Sequence, residues 1–305
     1  MTTVLELPAV GGGTTQSAVP QRRGFWRNLL RVLLRKPSRL LGAVIVATFV
    51  VVGVIGPYLY PEHLPADPNL LLSGPSLAHP LGTDFQGVDV LALLVTGTRY
   101  VLVAAALAAL LTVVLGTGIG LYAGYRRGFA DSSLMRITDF VLTIPGFPLL
   151  LVLSTVWKFG SALQMGLVLG ITGWGGLARS VRAQTLSLRE RGFIEAARGL
   201  GLSTSHVIRR ELLPNIAPYV AMNLLIGVTT FIYSQVGLFY LGVLPFKAAN
   251  WGVMIYLAVS NGVTQTGAGL FYLLAPLLAI LVLTLGVVLL VDAMDEVFNP
   301  RLRDS

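Results

Sequence analysis

The sequence predicts an all-α, polytopic membrane protein with six transmembrane helices, and three observations carry that prediction. Of 305 residues, 54% are hydrophobic and 12% charged, with a mean hydropathy of +0.76. Soluble domains carry about 25% charged residues, so this chain has too few to coat a water-facing surface. Uncharged runs of about 18 residues or more can span a bilayer, and they run from Leu40 to Tyr60, from Tyr100 to Tyr125 and again downstream. The 34 glycines show no three-residue period, and the apolar content is too high for disorder. With no cysteine, disulfides, thiolate metal sites and cysteine nucleophiles are excluded.

Residues 1–21 mix Thr, Gly, Pro and Ser without apolar periodicity, as a disordered tail does. Residues 22–39 differ, with Arg22, Arg23, Arg27, Arg31, Arg35, Lys36 and Arg39 among aromatic and aliphatic side chains. That is the pattern of a basic interfacial helix leading into the first span. The apolar run that follows is too long and starts too late for a cleavable signal peptide.

The membrane domain occupies residues 40–298. Its six spans are expected at Leu40–Tyr60, Tyr100–Tyr125, Leu134–Trp157, Leu163–Arg179, Ala217–Leu241 and Gly269–Val291. Pro245, Asn250, Asn261 and Gln265 make Gly242–Gly267 a loop with a partly re-entrant or interfacial helix. The tail 299–305 follows the last span.

Orientation follows from the basic residues, which accumulate in cytoplasmic loops. Nineteen of the 22 lie in the N-terminal segment, around 126–136, between spans four and five, and in the C-terminal tail. The connection 61–98 has none, and holds Glu62, Asp67, Asp84 and Asp89. Both termini are therefore expected in the cytoplasm and 61–98 outside. The net charge of +8 fits membrane lipid headgroups as partners; scattered over membrane-flanking loops, it forms no nucleic-acid patch.

Catalytic motifs are missing. No phosphate-cradling Gly-rich loop precedes Lys36, Lys158 or Lys247, and no Gly-x-Ser-x-Gly elbow occurs. His63, His79 and His206 are isolated and lack metal-ligand spacing. Arg99, Asp139, Lys158 and Asp292 all sit near span ends, where an ion-coupled carrier would want a charge deeper. The driving force is expected from another subunit.

The long basic loop 182–214 reads RAQTLSLRERGFIEAARGLGLSTSHVIRRELLP. Leu186, Phe193, Ala196, Ala197 and Leu200 are small or apolar among charges, with Glu195 one turn before Gly199 and Gly201. Adjacent alanines on a short helix offer a flat surface that another protein's groove can approach. An interfacial helix lying on lipid fits the same residues.

Here the chain resembles the EAA loop of the membrane subunits of binding-protein-dependent ABC importers. Glu195-Ala196-Ala197, Gly201 and Leu213-Pro214 stand at the family spacing, with Glu211 where an aliphatic residue is usual. His79-Pro80-Leu81-Gly82-Thr83-Asp84 with Gly87 and Asp89, Tyr240-Leu241-Gly242 with Asn250-Trp251-Gly252, and Asn299-Pro300-Arg301-Leu302-Arg303 resemble elements of the dipeptide/oligopeptide permease type, specifically its DppC/OppC-like subunit. Val88, Gln235 and Val291 depart from the usual arginine, glutamate and glycine.

The resemblance implies a type I ABC importer permease in a prokaryotic inner membrane. Its partners would be a second related permease subunit, two ATP-binding subunits that carry the ATP and Mg, and an extracytoplasmic binding protein. This chain itself would be non-catalytic. Glu195, Ala196, Ala197, Gly201, Leu213 and Pro214 would couple it to the ATPase. Di- or oligopeptides are the implied substrate, with oligosaccharide or nickel carried by other members of the type. The competing class is a secondary transporter or channel that needs no ATPase. Asn223, Tyr233, Ser234 and Gln235 on span five are candidates for a polar substrate path, because polar groups in hydrocarbon must face protein or water. Helix–helix hydrogen bonds would use them equally well.

Overall fold

The structure, a computed structural model, describes residues 32–60, 64–157, 160–242 and 250–298. The expected tails, and the basic segment up to residue 31, lie outside the described residues. The described chain is an all-α, polytopic membrane bundle. Its helices are α1 (Pro37–Leu59), α2 (Val90–Arg126), α3 (Gly128–Thr143), α4 (Gly146–Val156) and α5 (Ala162–Arg189). They continue with α6 (Gly192–Gly199), α7 (Thr204–Tyr240), α8 (Trp251–Ser260), the short α9 (Val263–Thr266) and α10 (Leu270–Phe298).

Among the described residues, α1, α2, α7 and α10 are each long and apolar enough to cross a membrane. The third expected span is not one straight helix. It is the pair α3 and α4, bent by 77°, and counted together they make a fifth crossing. Pro145 causes the break: a proline disfavours the α region for the residue before it, and Ile144 is extended at φ −83, ψ 119. The fourth expected span lies within α5, whose 28 residues reach about 42 Å. Gln164, Trp174, Arg179 and several glycines dilute it below the apolarity of the other four. It can be less apolar because much of its surface faces α2 and not lipid.

That α2–α5 contact is the most extensive in the bundle, and small residues permit it. Gly116, Gly120 and Gly124 lie one turn apart on α2, where a Cβ would come within 3.0 Å of Leu177, Ala178 and Thr185 of α5. Gly166 and Gly170 return the contact against Ala104 and Ala108. This is the small-xxx-small approach by which membrane helices pack closely. The one-turn spacing of these glycines is legible in the sequence.

Three expected boundaries move. Helix α2 begins at Val90, capped by Asp89, whose carboxylate accepts from the Ala92 N–H at 2.9 Å, so the connection ends at Asp89 and not at residue 98. The loop expected from 182 begins only after Arg189, because α5 continues to that residue. Likewise Pro37 and Arg39 belong to α1, Pro37 holding the first helical turn, where a missing N–H costs nothing.

The 64–89 connection is folded by its own polar groups. Asp84 is buried and accepts from the Gln86 and Val88 N–H groups, each at 2.8 Å. The Thr83 hydroxyl donates to the Leu70 carbonyl and accepts from the Ser73 N–H. His79 Nδ1 lies 2.8 Å from Asp89 Oδ2, tying the connection to the cap of α2. Gly87 has φ +80 and packs where any Cβ would overlap the Asp67 carbonyl. The HPLGTD segment thus builds the connection. Burial pushes the Asp84 carboxyl above its ordinary value, opposed by the backbone N–H groups it accepts.

Candidate functional site

Helix α6 is a short helix mounted on the bundle with one face inward. Ile194 and Ala197 point inward and pack in a cluster with Leu121, Leu177, Val181, Val207, Leu212 and Ile216. Phe193, Glu195, Ala196 and Leu200 point outward, Leu200 being 78% exposed. The expected flat face of paired alanines is therefore corrected: Ala197 is only 5% exposed. At 100° per residue, neighbours on one turn cannot share a narrow face.

The end of α6 is a full Schellman turn. The Leu202 N–H bonds the Ala197 carbonyl at 3.2 Å and the Gly201 N–H bonds that of Arg198 at 2.9 Å. Gly201 has φ +71, and nothing lies within 4 Å of where a Cβ would stand. Only the backbone conformation demands glycine here. Beyond it, the chain passes through a π turn, Val207–Leu212, directly into the long part of α7. Pro214 has no N–H for the Arg210 carbonyl and crowds it, and the turn widens so that the Leu213 N–H bonds Ile208 instead. Leu213 and Pro214 are exposed where this helix leaves the surface.

Ion pairs brace the same end. Arg182 grips Asp131 with two bonds, at 2.5 and 2.7 Å, and Arg179 reaches Asp139 at 2.5 Å, fastening α3 to α5. Arg127 pairs with Glu190 at 2.5 Å, and the Arg198 guanidinium lies over the Tyr125 ring at 5.1 Å. Arg189 Nε and Nη1 and Arg198 Nη2 are buried without a hydrogen-bond acceptor among the described residues. Sequence reading missed this bracing because each pair joins residues far apart in the chain.

The four polar residues of span five do not share one face. Gln235 is fully buried and donates from Nε2 to the Val101 carbonyl of α2 at 2.9 Å. Asn223 and Ser234 bond carbonyls one turn back on their own helix. Tyr233 is exposed, with its hydroxyl 2.9 Å from Thr284 of α10. An exposed stripe of α7 remains, containing Ile226, Thr230 and Tyr233, with Asn223 and Ser234 partly exposed beside it.

Asn250, Trp251 and Gly252 at the start of α8 have structural roles. Asn250 caps α8 by accepting from the Gly252 N–H at 2.7 Å, and the fully buried Trp251 donates to the Leu94 carbonyl at 3.1 Å. A Cβ at Gly252 would stand 2.7 Å from the Val236 carbonyl, so glycine sets the approach of α8 to α7.

The described residues thus form a polytopic membrane bundle with a short helix, α6, half-exposed at one end. The comparisons agree: residues 116–304 match the family described as binding-protein-dependent transport system inner membrane component, and the chain belongs to that family. It is 31% identical to the glutathione transport system permease protein GsiD of Pectobacterium atrosepticum, over 92% of this chain and 91% of that one. It is 28% identical to the dipeptide transport system permease protein DppC of Alkalihalophilus pseudofirmus, over 91% and 90%. Among solved structures, a chain of the MetNI methionine ABC transporter in inward-facing conformations has 24% identity and a TM-score of 0.49. It covers 66% of this chain and 96% of that one.

Proposed function

We propose that this chain is one of two permease subunits of an ATP-driven type I importer for di- or oligopeptides, and that α6 is the element pushed by the ATPase. The observation that carries the reading is the two-sidedness of α6. Ile194 and Ala197 anchor it to the bundle, while Phe193, Glu195, Ala196 and Leu200 stand free for a partner. A lever transmits force only if one side is fixed and the other is available. The exposed Arg191, Arg209 and Arg210 add cationic groups near it that suit an acidic partner surface. ATP and Mg belong to the partner ATPase subunits, and the relatives named for dipeptide and glutathione transport support a peptide cargo.

In this reading both termini are cytoplasmic, and the 64–89 connection faces the binding protein outside. ATPase closure moves α6 and, through Leu213 and Pro214, the continuous helix α7. The exposed stripe of Ile226, Thr230 and Tyr233 then lines the path shared with the second permease.

The test is substrate-stimulated ATP hydrolysis by the reconstituted importer. Ala196→Trp and Glu195→Lys should abolish stimulation while the permease inserts at normal levels; normal coupling in both would overturn the lever assignment. For topology, the absence of native cysteine makes labelling clean. A cysteine in place of Leu77 should react with a membrane-impermeant maleimide in intact cells, and one in place of Ser132 should not. Equal reaction would overturn the orientation. Competition of dipeptides, oligosaccharides and nickel against labelled dipeptide uptake tests the cargo.

A further inference from the structure

Arg99 is an exposed cation on a membrane-spanning helix. Among the described residues no carboxylate lies within ion-pair distance of it; its neighbour is Tyr58 of α1, whose ring centroid is 6.0 Å away. A groove of about 350 Å³ between α1 and α2 begins at these two side chains and continues along Gly53, Val54, Leu102 and Val103. One end of the groove is cationic and aromatic, and the rest is aliphatic. Gly53 matters to its shape, because a Cβ there would stand 3.1 Å from Leu102 and narrow the channel.

Depth identifies what the cation meets. From Arg99 to Arg126, the last residue of α2, the helix rises about 40 Å at 1.5 Å per residue. A bilayer measures about 40–45 Å including its headgroup layers. The two arginines therefore bracket the membrane at the level of its two headgroup layers. Tyr58 lies one residue before the end of α1, where interfacial aromatics anchor.

We propose that this groove holds one glycerophospholipid of the leaflet nearer the 64–89 connection. Its phosphate sits on the Arg99 guanidinium and one acyl chain lies along Val54, Leu102 and Val103. A transmembrane helix packed here instead would have to bury Arg99 unpaired or supply a carboxylate. A lipid brings both the anion and the apolar chain in one molecule. The larger groove between α1, α2 and α10, of about 450 Å³, is lined by apolar side chains and two threonines, Thr48 and Thr98. Both hydroxyls donate to their own helix, so that groove offers nothing with which to select a headgroup.

The experiment uses the complete transporter, purified, delipidated and examined by native mass spectrometry. It is titrated separately with palmitoyl-oleoyl phosphatidylglycerol, with the diacylglycerol carrying the same chains, and with inorganic phosphate. The wild type is expected to bind the phospholipid about tenfold more tightly than the diacylglycerol, the scale of a charge-assisted contact. Arg99→Gln should erase that preference and Arg99→Lys should keep it. Val54→Trp, which fills the aliphatic part and leaves the cation in place, should weaken both lipids. Equal binding of the two lipids by the wild type, or an unchanged preference in Arg99→Gln, overturns the proposal. So does saturation of Arg99 by inorganic phosphate alone. A cysteine in place of Val103 that cross-links to another subunit overturns it too, since protein would then cover the groove.

Discussion

Arg39 and Glu296 form an ion pair inside the protein, 5% and 6% exposed, where the start of α1 meets the end of α10. Asp292 stands one turn away, 3.5 Å from Arg39 Nε. Arg39 was expected in an interfacial segment in contact with headgroups; the structure withdraws it from them. Gly42 and Gly286 let the two helices touch just beyond the pair, each standing where a Cβ would press on the other helix.

Removing one partner of a buried pair leaves an uncompensated charge, at about 3–5 kcal/mol, whereas replacing both by apolar groups is often neutral. Arg39→Met alone should therefore markedly lower the thermal midpoint of the purified transporter, because it leaves Glu296 buried without a cation, whereas loss of Glu296 would leave Arg39 its contact with Asp292. The double variant Arg39→Met with Glu296→Leu should recover most of the loss. A double variant as unstable as the single one would show that the pair does not act as a unit.

Ala197 faces the permease's own core, so enlarging it acts on the permease first. Ala197→Trp is expected to destabilise the α6 cluster by overpacking, about 1–3 kcal/mol, visible as faster proteolysis around residues 190–203 with no ATPase subunit present. Proteolysis unchanged from the wild type would place Ala197 on the outer face instead.

Gly201 is constrained by φ +71 alone. Gly201→Val should cost about 1–3 kcal/mol of local strain, and Gly201→Asn should recover most of it, since asparagine tolerates the left-handed region. Equal loss of coupling in both would point to a steric neighbour, and hence to a partner contact at this residue.

Gln235 bridges α7 to α2 and faces away from the exposed stripe. Removing one partner of a buried hydrogen bond costs at most about 1–3 kcal/mol of stability, and here it removes no group from the exposed stripe. Gln235→Leu should accordingly leave the ranking of transported peptides unchanged, whereas Tyr233→Ala should alter it. A changed ranking in Gln235→Leu would put this residue on the path.

Asp84 carries a raised pKa because its carboxyl is buried. A carboxyl harder to ionise in the folded state than in the unfolded one lowers stability as pH rises through the ordinary carboxylate range, and the loss is complete above its folded pKa. Asp84→Asn keeps the acceptor for the Gln86 and Val88 N–H groups without the buried charge. It should match the wild type at acidic pH and equal or exceed it at neutral pH. Asp84→Ala should lose about 1–3 kcal/mol at every pH, because buried donors are left unpaired. Hydrogen exchange of the Val88 amide reads all three.

The sequence by itself determined what is local or bulk. Apolar run length placed the membrane segments, and Gly201 stood ready for the turn that ends α6. Pro145, which breaks the third expected span, and Asp89, which starts α2, are equally local signals, although run length alone carried one span across Pro145 and the connection on to residue 98. These features act through chain length, backbone sterics and neighbours a few residues away, so they can be read along one strip of chain. Tertiary structure alone decided which way Ala197 points, that Gln235 donates to Val101, that Arg182 holds Asp131, and that Arg39 is closed in by Glu296. Each depends on which helix lies against which. In a chain this apolar, hydrophobicity marks lipid-facing and protein-facing surfaces alike. Small residues such as Gly116, Gly120 and Gly124, brought against α5, are what separate the two.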